Sequence, residues 1–179
     1  MKRILAIGLL LCVSPVLAQH EHHAAPPAPT AKSPEAAHHA FLAEERAAIE
    51  RGEGLGMALA ADRAGYPGPK HILELKEQLK LTAAQQAAVE QLRAQMKEKA
   101  LPLGRQILAA EARLEEMFRA GKGEAELREE TYRIASLRAE LRWVHLGTHL
   151  AARKLLTPEQ NALYLKLRHG AETHAHGTN

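Results

Sequence analysis

Apolar positions recur at helical spacing through most of this 179-residue chain, and no run of alternating β-branched residues appears. The pattern predicts an all-α fold, extended in style, with long helices joined by tight turns. Ser33 is placed to cap a helix that has Pro34 in its first turn and runs to about Arg51. Ala40, Phe41, Ala47, Ala48 and Ile49 supply its apolar positions. Gly52, Gly54 and Gly56 interrupt the pattern and read as conformational punctuation with close packing. A short helix over Met57–Ala64 follows, then the rigid turn Gly65-Tyr66-Pro67-Gly68-Pro69, then helix again from Lys70 with Ile72, Leu75 and Leu79 in phase. Beyond Thr82 the stripe is Gln85/Ala88/Val89/Leu92/Met96, and Pro102 is expected to kink or end that helix. Leu103, Ile107, Ala110, Leu114 and Met117/Phe118 mark the next segment, stopped by Gly121-Lys122-Gly123. Glu124 opens a long helix to about Leu155 with the stripe Leu127, Thr131, Ile134, Leu137, Leu141, Val144 and Thr148. A short helix, Pro158 to about Leu167, closes the ordered part. Segments 82–100 and 103–120 are expected to form a hairpin that, followed by 124–155, packs its stripes together.

Two patterns, Leu81-Thr82-Ala83-Ala84-Gln85 and Leu156-Thr157-Pro158-Glu159-Gln160, bracket the most helical stretch. In each, Thr suits an N-cap, and Gln three residues later can return a hydrogen bond to the cap's own N–H. The residues at the usual staple position, Gln86 and Asn161, are not apolar. Leu81 and Leu156 are therefore expected to pack against other helices and close the two ends of the bundle.

Composition alters the picture at the termini. Met1-Lys2-Arg3, the apolar run Ile4–Val13 and the ending Val16-Leu17-Ala18 read as a secretory signal peptide, residues 1–18. The run is too short to span a membrane, and no later stretch qualifies. Cys12, the only cysteine, leaves with it, so disulfide and thiol chemistry are not expected. Leu10 and Leu11 before it argue against lipidation. The formal charge of +3 includes Lys2 and Arg3, and subtracting these two leaves about +1. With that balance and six aromatic residues of the Trp, Tyr and Phe types, nucleic acid is excluded as a partner. Residues 19–34 form a His/Pro/Ala-rich arm with His20, His22 and His23, and residues 169–179 form a tail with His169, His174 and His176. Both are expected to be disordered, with weak metal sites or plain solubilising tails as the two readings. The helical domain spans 35–168.

Candidate chemistry concentrates at His145 and His149 in Arg142-Trp143-Val144-His145-Leu146-Gly147-Thr148-His149-Leu150. An i,i+4 pair shares one helix face, and two imidazoles so placed can reach one divalent transition metal, Zn, Ni, Co or Cu. The zinc-peptidase Glu after the first His is absent. The alternative is a pair that hydrogen-bonds or lines a dimer interface. His71, His38 and His39 are further candidate ligands. No nucleophile–base pair stands out. Ser33 and Ser136 are the serines after the signal, and Glu111, Glu115, Glu116, Glu126, Glu129 and Glu130 fall at charged-face spacing. An enzyme is not expected.

The two Leu-Thr-x-x-Gln copies in a secreted helical chain resemble the Spy/CpxP family of periplasmic proteins, which includes heavy-metal sensor and resistance proteins. The stretches Gly54–Leu75 and Arg142–Leu150 are similar to one branch, and the resemblance covers roughly residues 40–168. It implies a hooked helical hairpin of about four to five helices, with short N-terminal helices, that dimerises into a cradle. Members variously bind unfolded envelope proteins without ATP, damp a sensor kinase of the envelope stress response, or bind metal. By that resemblance the chain is a soluble periplasmic metal-binding and stress-response homodimer with chaperone-like client binding. Its partners would be unfolded envelope proteins or the periplasmic domain of a sensor kinase. Client-facing candidates are Leu92, Met96, Leu103 and Met117, with Lys97, Lys99 and Arg105 adding electrostatic capture. In the metal-sensing branch, histidines and a carboxylate or thioether come from separate helices, and His145 and His149 look like one such contribution. A dedicated heavy-metal sensor or resistance protein without chaperone activity is the second reading, and a purely structural helical dimer the third.

Overall fold

Ser33 accepts from the Ala36 N–H at 3.2 Å, and Pro34 follows it in the first turn, so the first helix starts where the sequence expects. A computed structural model describes residues 33–175, and their side chains as far as Arg168. The histidines at 20, 22, 23 and 176, and the signal and arm segments through residue 32, lie outside the described residues, as does the side chain of His174. The described residues form six helices and no strand: α1 Pro34–Glu50, α2 Leu59–Arg63, α3 Pro69–Glu74, α4 Ala83–Arg119, α5 Glu124–Leu155 and α6 Pro158–Ala175. Among them no helix is long and apolar enough to cross a membrane.

The principal packing is α4 against α5. Their four-residue connection, and contacts pairing Gln85 with Leu155 and Glu111 with Arg138, make them antiparallel. At 37 and 32 residues they are about 55 and 48 Å long. α4 corrects one expectation: Pro102 neither ends nor divides the helix but lies inside it, so segments 82–100 and 103–120 form one helix rather than a hairpin, and the antiparallel partner is α5. A proline there removes one backbone hydrogen bond and costs about 3 kcal/mol relative to alanine. Packing on both sides of it outweighs that cost. Ala100, Gly104, Ile107 and Ala110 are fully buried against Ile49 of α1 and Ile134, Leu137 and Leu141 of α5. Gly104 admits the close crossing, because a Cβ there would stand 2.7 Å from the Ile49 carbonyl oxygen. Arg138 joins the same three helices through Glu45 and Glu111, each at 2.8 Å.

A second apolar cluster holds Ile72, Leu79, Val89, Ala152, Leu156 and Tyr164, with Leu81 packed on it. Leu81 and Leu156 therefore meet at one end of the hairpin, not at opposite ends of the bundle. The reason is visible in the caps. Thr82 Oγ1 accepts from Gln85 N–H, and Gln85 Oε1 accepts from Thr82 N–H; Thr157 and Gln160 repeat the arrangement. The Gln85 amide then donates to Gln160 Oε1 at 2.7 Å and to the Leu155 carbonyl at 3.0 Å. Gln160 returns donations to Gln85 Oε1 and the Leu79 carbonyl, both at 3.1 Å. Two local caps are thus fastened to each other about a pseudo-twofold relation. Asn161, where an apolar staple would sit, donates instead from its side-chain amide to the carbonyls of Arg153 and Leu156, which the end of α5 leaves unsatisfied.

The buried face of α5 is Glu130, Ile134, Leu137, Leu141, His145, Thr148 and Ala152. Thr131 falls outside it, its hydroxyl donating to the Leu127 carbonyl. Glu130 lies on it rather than on the charged face, and Arg133 chelates both of its carboxylate oxygens. α6 continues to Ala175, beyond the expected end near Leu167.

Candidate functional site

His145 interrupts the apolar seam between α4 and α5. It lies between the Ile134–Leu141 stretch of the first cluster and Ala152 of the second. The gap it leaves is covered by the segment carrying α2 and α3, and a cleft of about 430 Å³ remains. His71, His145, His149, Met96, Arg93 and Lys97 are among its lining residues. His71, a further candidate that the sequence could not place, thus lines the same cleft as His145 and His149. His38 and His39 stand on the exposed face of α1, with His39 Nε2 4.0 Å from Glu35, and do not line the cleft.

His145 is only 4% exposed, and its Nε2 is buried without a hydrogen-bond partner. Burial, and secondarily the charge of His149, hold its pKa below the ordinary imidazole value, so the neutral form prevails at neutral pH. His149 Nδ1 lies 2.8 Å from the Tyr66 carbonyl oxygen. A carbonyl only accepts, so Nδ1 carries the proton and the neutral ring keeps its lone pair on Nε2. His71 Nδ1 is also buried without a hydrogen bond, 3.6 Å from Asp62 Oδ1. Burial first and Arg168 second lower its pKa, against the opposite pull of Asp62. Asp62 is itself engaged by the Tyr164 hydroxyl and by Arg168, each at 2.8 Å. Burial alone would raise the Asp62 carboxyl, but these donors outweigh it and its pKa is lowered.

Two glycines shape the cleft. A Cβ at Gly54 would stand 2.8 Å from His145 Cγ and Nδ1, and one at Gly68 would stand 2.8 Å from His149 Nε2. Only a bare backbone fits against either ring. Sequence reading anticipated close packing near Gly54, but nothing local pairs Gly54 with His145 or Gly68 with His149. Arg93 and Asp62 gave no signal as cleft residues, because helical spacing does not say which loop covers a helix.

The remaining candidates are dispersed. Met96 and Lys97 line the cleft, whereas Leu92 and Leu103 pack against the second and first clusters. Lys99 and Arg105 are exposed, and Met117 is half-buried. As a donor set, two imidazoles with a thioether in the same cleft wall suit a borderline or soft transition ion. Among the described residues no group of three or more His, Cys, Asp or Glu side chains is arranged to hold a metal. Two histidines that reach a bound ion would therefore need donors from outside that set.

A family model described as LTXXQ motif family protein matches residues 68–168. No curated protein and no solved structure matches the chain.

Proposed function

Since this chain belongs to the LTXXQ motif family, the Spy/CpxP group of periplasmic proteins that are not enzymes, we propose that it is a periplasmic stress-response protein that binds a divalent transition metal in the histidine cleft. The observation that carries this reading is the buried, unpartnered Nε2 of His145 beside His149. A buried polar atom without a partner is costly, and a ligand that engages it removes the cost. His145 and His149 would supply imidazole nitrogen, with the Tyr66 carbonyl orienting His149 from behind, as outer hydrogen bonds commonly do for metal-bound histidine. Met96, which lines the same cleft, would add a thioether. When bound, the ion would supply a Lewis-acidic centre.

Titration calorimetry with Zn²⁺, Ni²⁺, Co²⁺ and Cu²⁺ tests the reading. The expected result is one ion per chain, lost in His145→Ala and His149→Ala. Binding that survives both changes but vanishes when the two histidine-rich ends are removed would place the metal at His20, His22, His23, His174 and His176 and overturn the cleft assignment.

A second reading, client binding without ATP, draws on exposed apolar side chains: Phe41, Leu42, Phe118, Tyr132 and Trp143. Lys99 and Arg105 would contribute to encounter with acidic clients more than to affinity. Suppression of client aggregation in metal-free buffer is expected, and unchanged aggregation at equimolar chain would end this reading. A homodimer is the assembly this reading favours. It is supported by a second apolar face on α5, where Tyr132, Ala139, Trp143 and Leu150 share one side, opposite the buried seam.

A further inference from the structure

We infer that the outer part of the cleft binds a small apolar carboxylate, with Arg93 and Lys97 holding the carboxylate and Leu55, Leu59 and Met96 covering the hydrocarbon. This goes beyond the metal reading and does not rest on it, since it uses none of the three histidines.

The first observation is charge. The cleft wall carries Lys70, Arg93, Lys97 and Arg168 against two carboxylates, Glu53 and Asp62. Both carboxylates are engaged within the protein: Glu53 pairs with Arg51 at 3.1 Å, and Asp62 pairs with Arg168 at 2.8 Å. Lys70 lies 3.9 Å from Glu74. The positive charge that is left stands at Arg93 and Lys97, one turn apart on α4 and both half-buried; among the described residues neither is in an ion pair. Low-dielectric walls focus such charge on whatever enters, and the sign favours an anion. The guanidinium fork matches a carboxylate, and a lysine one turn away adds a second charge to the same head group.

The second observation is apolar surface beside that charge. Leu55 and Leu59, on the covering segment, each remain 44% exposed although they line the cleft. Met96 shares the α4 face of Arg93 and Lys97, because positions three and four apart lie together on a helix. Aliphatic side chains next to two free cations suit a molecule that joins a hydrocarbon to an anionic head, the usual division of labour in a ligand pocket. The third observation is size. A cleft of about 430 Å³ falls in the range of small-molecule sites, which suits one short chain rather than the two long chains of a membrane lipid. His145, only 4% exposed, lies beneath this surface and takes no part.

The test is calorimetry on the purified protein in buffer containing EDTA, with octanoate, hexanoate, octanol and octylammonium as titrants. Octanoate is expected to bind one per chain. It should bind about tenfold or more tightly than hexanoate, since each buried methylene is worth about a fourfold step. It should also bind about tenfold or more tightly than octylammonium, which has the same chain and the opposite charge. The Arg93→Gln, Lys97→Gln double variant should lose about tenfold or more of the octanoate affinity and bring octanoate level with octanol. Arg153→Gln with Lys154→Gln, which alters the groove beside Tyr66 at the end of α5, should leave octanoate binding unchanged. Octylammonium binding as tightly as octanoate, or octanoate not binding at all, overturns the inference. So does an octanoate affinity that survives the Arg93/Lys97 changes or is lost with the Arg153/Lys154 changes. The head-group comparison on the unaltered protein decides even where a variant does not fold. EDTA removes divalent ions, so failure here leaves the metal reading to its own Ni²⁺ titration, and failure of that titration leaves this inference standing.

Discussion

A methyl group placed at Gly54 has nowhere to go without moving His145, since the space in front of the backbone is filled by the ring at 2.8 Å. Gly54→Ala should therefore cost about 1–3 kcal/mol, the usual penalty for overpacking, and should weaken metal binding by turning the imidazole. Adding His145→Ala in the Gly54→Ala background removes the clash, so the two changes should be strongly non-additive in urea denaturation. The same ring predicts a pH dependence. Folding lowers the pKa of His145 through burial, and that of His71 through burial and Arg168. Below about 6.5 the unfolded chain takes up protons that the folded chain resists, so stability is full above that pH and falls as pH drops through it. Each histidine can contribute at most about 1.4 kcal/mol per pH unit. Denaturation of the metal-free protein on both sides of that pH should show the loss, and His145→Gln should make it smaller.

At the scale of elements, the unit that matters is the pair of caps rather than either cap alone. Gln85 serves three partners: its own cap, Thr82, and across the junction Gln160 and the Leu155 carbonyl. Gln85→Ala should cost more than an ordinary N-terminal residue, about 1–3 kcal/mol, because it takes one partner from the Gln160 amide and leaves the half-buried Leu155 carbonyl without this donor. A double-mutant cycle with Gln160→Ala should return a coupling of about 0.5–3 kcal/mol. Additive effects would show that the two motifs act as separate helix starts. Pro102 is the counterpart inside α4. Its helix persists because Ala100, Gly104 and Ile107 are buried on both sides of it.

For the whole molecule, the cleft is a consequence of having two apolar clusters on one hairpin. Where the seam carries His145 instead of an aliphatic side chain, the covering segment rests on glycines and leaves a cavity. α5 is apolar on both sides, and its outer face displays Trp143, 63% exposed, and Tyr132, 69% exposed. If a second copy covers this face, Trp143→Glu should shift sedimentation equilibrium from dimer to monomer and leave helix content unchanged. A dimer insensitive to that change would place the interface elsewhere.

The sequence by itself determined the helices whose signals are local. Ser33-Pro34, Thr82 with Gln85, and Thr157 with Gln160 fixed where chains of hydrogen bonds begin, and the 3.6-residue period fixed α5 from Glu124 to Leu155. It also singled out His145 and His149, because i,i+4 spacing is a property of one helix. Where Pro102 would lie was beyond it, since the proline's local cost is set against burial by α1 and α5, which are remote in the chain. The same limit hid Glu130 on the seam, a position chosen by the facing helix and by Arg133. Only the tertiary structure joined Gln85 to Gln160, brought both motif leucines to one end, and set Gly54, Gly68, His71 and Arg93 around the histidine pair. Local hydrogen bonding and periodicity act within a few residues and can be read along the chain. The partners across a cleft are set by how helices pack.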